Sequence, residues 1–160
     1  MKISLSIQTP DVESPLPLAL LTGTFEEKCE RAAEFGADGV EIITTNPSQI
    51  NQIEIRKCLE KYHLFPAAIS SGGIASTQGL TLLNADSSKA ESAYHRMEDL
   101  IRFAGELGSP TVTIGSFRGR MRIESGMSPN DLTEILHRGG NFARENGTRL
   151  AIEPLNRYET

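Results

Sequence analysis

Four segments of this sequence share one layout: an amphipathic run ends, a residue able to take positive φ follows, and a short apolar strand begins. They read EFGADGVEII, KYHLFPAAIS, ELGSPTVTIG and ENGTRLAIEP. Gly36, Gly108 and Gly147 stand where a helix C-terminal cap calls for a left-handed residue, which glycine adopts without a Cβ penalty. His63 holds the matching place in the second segment. Histidine is enriched among the non-glycine residues that tolerate positive φ, so His63 is expected to be a cap and not a ligand.

Each cap is preceded by a helical pattern. TFEEKCERAAEF sets Phe25, Cys29, Ala32, Ala33 and Phe35 largely along one side, with Thr24 or Thr22 at its start. NPSQINQIEIRKCLEKY spaces Ile50, Ile53, Cys58 and Leu59 along a face, with Ser48 as a cap. SSKAESAYHRMEDLIRFAGEL carries a stripe from Ala90 through Tyr94, Met97, Leu100, Ile101 and Ala104 to Leu107. SPNDLTEILHRGGNFAREN offers Ser128 as N-cap and Pro129 at the first helical position, with Leu132, Ile135, Leu136 and Phe142 directed inward.

With an opening strand near Lys2 to Gln8, the order becomes β-α-β-α-β-α-β-α-β, five strands and four helices. Short strands joined through helices make a parallel sheet covered by helices, so the class is α/β. Right-handed crossovers leave two architectures, a singly wound barrel and a doubly wound open sheet. No GxGxxG or Walker pattern follows the first strand, where a nucleotide-binding open sheet would carry its phosphate loop, and this favours the barrel. A closed (β/α)8 barrel needs about 250 residues, whereas the chain has 160. Residues 1–160 are therefore expected to be the N-terminal part of a single barrel, or to obtain the remaining strands from another chain.

Composition narrows the function classes. A formal net charge of -5 disfavours broad phosphate-backbone binding, so no nucleic-acid partner is expected. Cys29 and Cys58 lie in amphipathic stretches with no CxxC and no Cys/His cluster, which reads as buried reduced thiols. The opening MKISLSIQTP lacks the apolar core of a signal peptide, and no stretch approaches a membrane span. A cytoplasmic protein with no membrane partner is expected.

In a barrel the catalytic face lies at the strand C-terminal ends. Those positions are Gln8, the neighbourhood of Glu41 to Thr45, Ser70 to Gly73, Gly115 to Arg122, and Glu153 to Glu159. Glu153 ends the strand Leu150, Ala151, Ile152; a carboxylate there suits a divalent cation or proton transfer, or a structural ion pair. Glu159 stands six residues on, where a turn through Pro154 would bring it over the mouth. Arg118, Arg120 and Arg122 either grip an anionic substrate group through forked N–H donors or form a solvated loop paired with Glu124. Glu41 reaches the mouth if Val40 and Ile42 point outward under the helices; it then contacts substrate or serves as a buried hydrogen-bonding anchor. The loop SSGGIAS offers Gly72 and Gly73, which let a ligand approach the backbone closely.

AIEPLNRYET, together with GADGVEI and IGSFRGR, resembles the xylose isomerase-like TIM-barrel proteins, nearest the D-tagatose/D-psicose 3-epimerase group of sugar phosphate isomerases/epimerases. The resemblance in element order spans all 160 residues; the specific part is E-P-L-N-R-Y-E-T. It implies a partial (β/α)8 TIM barrel and an isomerase that uses a divalent metal (Mn, Co or Mg). The first glutamate of the run, Glu153, would be both a metal ligand and half of an acid/base pair. The second, Glu159, would contact the sugar's hydroxyl end. The partner carboxylate would come from the eighth strand, and an Asp and a His ligand from the sixth and seventh, so the 160 residues alone are expected to have negligible activity.

The resemblance further implies a small sugar or sugar phosphate as substrate and a homo-oligomer at full length. Gln8 departs from the aromatic ring that epimerases of this group often carry there. Two rivals stand beside this reading: an endonuclease IV-like DNA-repair enzyme and a sugar-binding barrel without catalysis. The repair enzymes place histidines at the ends of the third and fourth strands, which here read AISSGG and TIGSFRG.

Overall fold

The computed structural model describes residues 1–121 and 127–154. Five strands, β1 (Ser4–Gln8), β2 (Gly39–Ile43), β3 (Phe65–Ser70), β4 (Val112–Ile114) and β5 (Leu150–Ile152), form one sheet. They lie side by side in sequence order, and every pairing is parallel. A singly wound sheet with no reversal of order is a partial (β/α)8 TIM barrel and not a doubly wound open sheet.

Among the described residues five α-helices accompany the strands, one more than the sequence pattern suggests: α1 (Phe25–Glu34), α2 (Gln52–Lys61), α3 (Gly72–Gln78), α4 (Ser87–Leu107) and α5 (Pro129–Glu145). The additional helix, α3, is formed by the SSGGIAS stretch. Its two leading glycines and its short polar composition hide it from a periodicity reading, yet Ile74 is fully buried and ties the helix to the core. Gly72 is thus the first residue of a helix and not a loop residue.

Local signals set the helix ends. Thr24 caps α1 through a capping box: its hydroxyl accepts from the Glu27 amide at 3.2 Å while the Glu27 carboxylate accepts from the Thr24 amide at 2.7 Å. Ser128 and Asp131 form the same device on α5, with Pro129 at the first helical position. Before α2 the chain departs from expectation. Pro47–Gln49 makes a separate 3-10 turn, and Asn51, not Ser48, caps the helix by accepting from the amides of Ile53 and Glu54. The three-residue shift rotates the buried face to Ile55 and Leu59 and leaves Ile53 exposed to solvent. At the C-terminal ends, His63 has φ 55° and Gly36, Gly108 and Gly147 have φ between 73° and 76°, the left-handed caps that the repeated layout predicts.

The core lies between the helices and the outer face of the sheet. Ile7, Val40, Ile42, Ile69, Val112 and Ile114 are fully buried and pack with Cys29, Ala32, Met97, Leu100, Ile101 and Phe103 of the helices. Gly139 lets α5 approach this layer, since a Cβ there would come within 2.6 Å of Met97 Cε and 3.0 Å of Leu150 Cδ1. Leu150 therefore faces α5. By the two-residue alternation of strands, Ala151 and Glu153 point to the opposite, inner face.

Candidate active site at the mouth of the partial barrel

The inner face is built from different chemistry. Ser6 and Gln8 of β1, Glu41 and Ile43 of β2, Ala68 and Ser70 of β3, Thr113 of β4 and Ala151 of β5 alternate with the buried aliphatics. With Val40 and Ile42 fully buried among helix residues, Glu41 is turned inward, where its Oε2 accepts a hydrogen bond from the Ser6 hydroxyl at 2.6 Å. It is half-buried and anchored across β1 and β2. The pairing is the hydrogen-bonding role that the sequence left open beside substrate contact.

On the β1–β3 side the mouth is roofed. Gln8 is nearly buried; its amide donates to the Ser14 carbonyl at 2.9 Å and its Oε1 accepts from the Leu16 amide at 3.2 Å, so it is engaged with the β1–α1 loop. Leu16 is thereby drawn over the strand ends. A Cβ on Gly73 would lie 3.1 Å from Leu16 Cδ1, 3.0 Å from Thr45 Cγ2 and 3.7 Å from Ile43 Cγ2, so this glycine is required by packing. Gly72 is half-buried, its amide donating to Ser70 Oγ at 3.3 Å. Asp11 holds the roof down. Its Oδ2 accepts from Thr44 Oγ1 at 2.9 Å, the Thr45 amide at 2.7 Å, Thr45 Oγ1 at 3.0 Å and the Asn46 amide at 2.7 Å. Arg96 of α4 adds a bond to the Thr45 carbonyl, and burial holds its guanidinium below its usual range. Sequence reading missed Asp11; the signal available to it was only an Asp after Thr-Pro in a loop.

The β4–β5 side is open. Glu153 is exposed, just past β5, and its amide donates to the Ile114 carbonyl at 3.0 Å. Its carboxylate lies across Gly115: a Cβ at that position would meet Glu153 Oε2 at 2.5 Å. Arg118 Nη1 donates to the Glu153 main-chain carbonyl at 3.1 Å. The arginine sits in a 3-10 turn, Ser116–Arg118, secured by the Leu82 amide to the Phe117 carbonyl at 2.9 Å and the Leu83 amide to the Arg118 carbonyl at 3.0 Å. Arg120 is exposed. Glu159, Arg122 and Glu124 lie outside the described residues.

Glu153, Gly115 and Arg118 thus meet at one strand mouth, while Glu41 lies mid-strand on the inner face of β2 and Gly72 begins α3, after β3. Among the described residues no three His, Cys, Asp or Glu side chains cluster to hold a metal. No described side chain donates to the Glu153 carboxylate. The fit to a divalent metal is that of a single ligand. The three histidines are exposed and stand on helices or at a cap, away from the strand ends, with His95 Nδ1 3.3 Å from Glu98 on its own helix. No helix of the described residues is long and apolar enough to cross a membrane.

Parallel strands in sequence order and an aliphatic outer face under helices define a partial (β/α)8 barrel, with a carboxylate at its open mouth. The family model for the xylose isomerase-like TIM barrel matches residues 29–160, and the chain belongs to that family. No curated protein sequence matches the chain. Among solved structures it is similar to 3-keto-D-glucoside 4-epimerase from E. coli, with 19% identity and a TM-score of 0.71 over 98% of this chain and 57% of that one. D-Psicose 3-epimerase with D-tagatose from Clostridium cellulolyticum H10 gives 16% identity and a TM-score of 0.71 over 100% of this chain and 54% of that one. A xylose isomerase-like TIM barrel protein from Mycobacterium smegmatis in complex with magnesium gives 17% and 0.65 over 97% and 55%. At such identities the likeness is one of fold. The chain spans little more than half the length of these relatives.

Proposed function

We propose that residues 1–160 are the N-terminal part of a metal-dependent isomerase or epimerase acting on a small sugar or sugar phosphate. Its reaction is proton transfer at a carbon beside a carbonyl. The observation that carries this reading is the Glu153 carboxylate, on the inner face at the open mouth, with no described side chain donating to it. The remaining acid/base partner and metal ligands are supplied by strands beyond these residues, in keeping with relatives that are nearly twice as long.

Removing a proton from carbon needs a base held within reach of it, and returning the proton to the other face needs a second group opposite. In this reading Glu153 takes the proton; its carboxylate lies across Gly115 on the inner face. A divalent cation (Mn, Co or Mg), when bound, supplies positive charge that offsets the negative charge developing on the substrate oxygens. Glu153 is the ligand the described residues contribute to it. Glu41, which accepts from Ser6, and Gly72, at the start of α3, are further proposed substrate contacts. Arg118 and Glu159 complete the proposed substrate contacts.

The test uses the polypeptide extended to the length of its relatives, incubated with Mn, Co or Mg and a panel of ketoses and aldoses in deuterated water. Deuterium incorporation beside the carbonyl, with formation of the epimer or isomer, is the expected outcome. Replacing Glu153→Gln should lower kcat by about 10²–10⁴, the range of a general acid/base. No incorporation with any metal, or an unaffected variant, overturns the reading. Strand cleavage of abasic-site DNA in the presence of zinc would instead assign the repair activity.

A further inference from the structure

We infer that Gly115 and Arg118 are positioning residues for Glu153: a notch and a clamp that together dictate where its carboxylate stands. The inference rests on the role proposed for Glu153 and names what in this chain enforces that role.

The clamp acts on the backbone. Glu153 is bonded on both sides by one short segment, its amide to the Ile114 carbonyl at 3.0 Å and its carbonyl to Arg118 Nη1 at 3.1 Å. That segment is itself immobilised, since Phe117 is fully buried and the carbonyls of Phe117 and Arg118 accept from Leu82 and Leu83. The main chain at the end of β5 is therefore referenced to β4 and not left to follow the loop beyond it. The notch acts on the side chain. The carboxylate occupies the space that the Cβ of any other residue at position 115 would claim, with Oε2 2.5 Å and Cδ 3.5 Å from that point.

The group that stands where a Cβ at position 115 would stand is the Glu153 carboxylate, the far end of an exposed side chain that a new methyl group would displace.

The test combines two readouts on the chain itself and on the form extended to the length of its relatives. In the first, the side-chain carboxyl carbon of Glu153, assigned by its disappearance in Glu153→Gln, is followed by ¹³C NMR. Gly115→Ala should move this resonance while leaving other glutamate resonances unchanged; Arg118→Ala should move it and also shift the Glu153 amide. In the second, MnCl₂ is titrated into the extended form and the apparent affinity is read from free-Mn electron paramagnetic resonance. Gly115→Ala should weaken it at least about tenfold, and Gly115→Ala/Glu153→Asp, which retracts the carboxylate by one methylene, should recover part of the loss.

An unmoved Glu153 resonance in Gly115→Ala overturns the inference, as does unchanged Mn affinity in a protein whose affinity depends on Glu153. If Mn binds but is indifferent to Glu153→Gln, the metal role of Glu153 fails, and the NMR readout still decides whether Gly115 and Arg118 position the side chain.

Discussion

The outer and inner faces of this one sheet are made from the same five strands and follow opposite rules. Outward residues such as Ile7, Val40, Ile42, Ile69 and Ile114 are aliphatic and fully buried under helices. Inward ones such as Ser6, Glu41, Ser70 and Thr113 are small or polar and half-buried. The interior of a (β/α)8 barrel is ordinarily filled by bulky branched side chains. The inner face here holds Ile43 alone of that kind among the strand residues described, and it lies beneath the roof formed by Leu16 and Gly73. The contrast is one of composition: aliphatic side chains gather between the sheet and its helices, and small or polar ones stand on the inner face.

The largest expected effect breaks the comparison at neighbouring positions. Ile42→Ala, on the outer face, should cost about 2–5 kcal/mol, because it removes buried methyl groups and leaves a cavity among packed helices. Urea unfolding measures it, and a loss under about 1 kcal/mol would show that the outer layer is not the core. A second, smaller effect comes from Cys29 in the same layer. Burial, then the neighbouring Cys58 and Glu26, pushes its thiol up to about 12 from the ordinary 9.0. The folded state holds this proton more tightly than the unfolded chain does. Its contribution to stability is complete below pH 9 and is lost as pH rises toward 12, by about 1.4 kcal/mol at pH 10. Lys28, whose pKa burial lowers, works in the opposite direction over part of that range, so Cys29→Ala is the reference that isolates the thiol. Midpoints measured at pH 8 and pH 10 should converge in that variant; an unaltered pH dependence would place the thiol outside the core.

The smallest effect lies on the inner face. Glu41→Ala removes the partner of the Ser6 hydroxyl at a half-solvated site, where water replaces the lost bond, and should cost about 1 kcal/mol or less. A cost approaching that of Ile42→Ala would mean that the inner face also carries the fold, and the division between the two faces would fail.

Much of the frame was legible because it depends on short-range steric and periodic signals. The caps at Gly36, His63, Gly108 and Gly147 announce where helices stop and strands start, since positive φ excludes most residues. The buried stripe of α4 and the Ser128–Pro129 start of α5 are written in the same local terms. The start of α2 was not, because Ser48 and Asn51 are both competent caps and Pro47 diverts the chain into a 3-10 turn before Asn51 takes over. Helix α3 was hidden for a related reason: seven residues with two glycines carry no amphipathic signal, and its Ile74 is ordered by the core it meets. Of the candidate site, Glu153 could be placed at a strand end, and Glu41 on the inner face by alternation. The hold of Arg118 on the Glu153 carbonyl, the notch at Gly115 and the Asp11 clamp on Thr44, Thr45 and Asn46 could not, because each joins residues more than thirty positions apart.

By itself the sequence determined the alternation of strands and helices, the parallel class and the identity of the carboxylate at the end of the fifth strand. These follow from backbone sterics and from the spacing of apolar residues, both of which act within a turn or a strand. The tertiary structure decided that the strands are wound once, in order, and which face each carboxylate turns to. It also decided that Gly115 leaves room for Glu153. Those outcomes depend on the close approach of segments distant along the chain, and close packing is settled only when the whole sheet and its helices are in place.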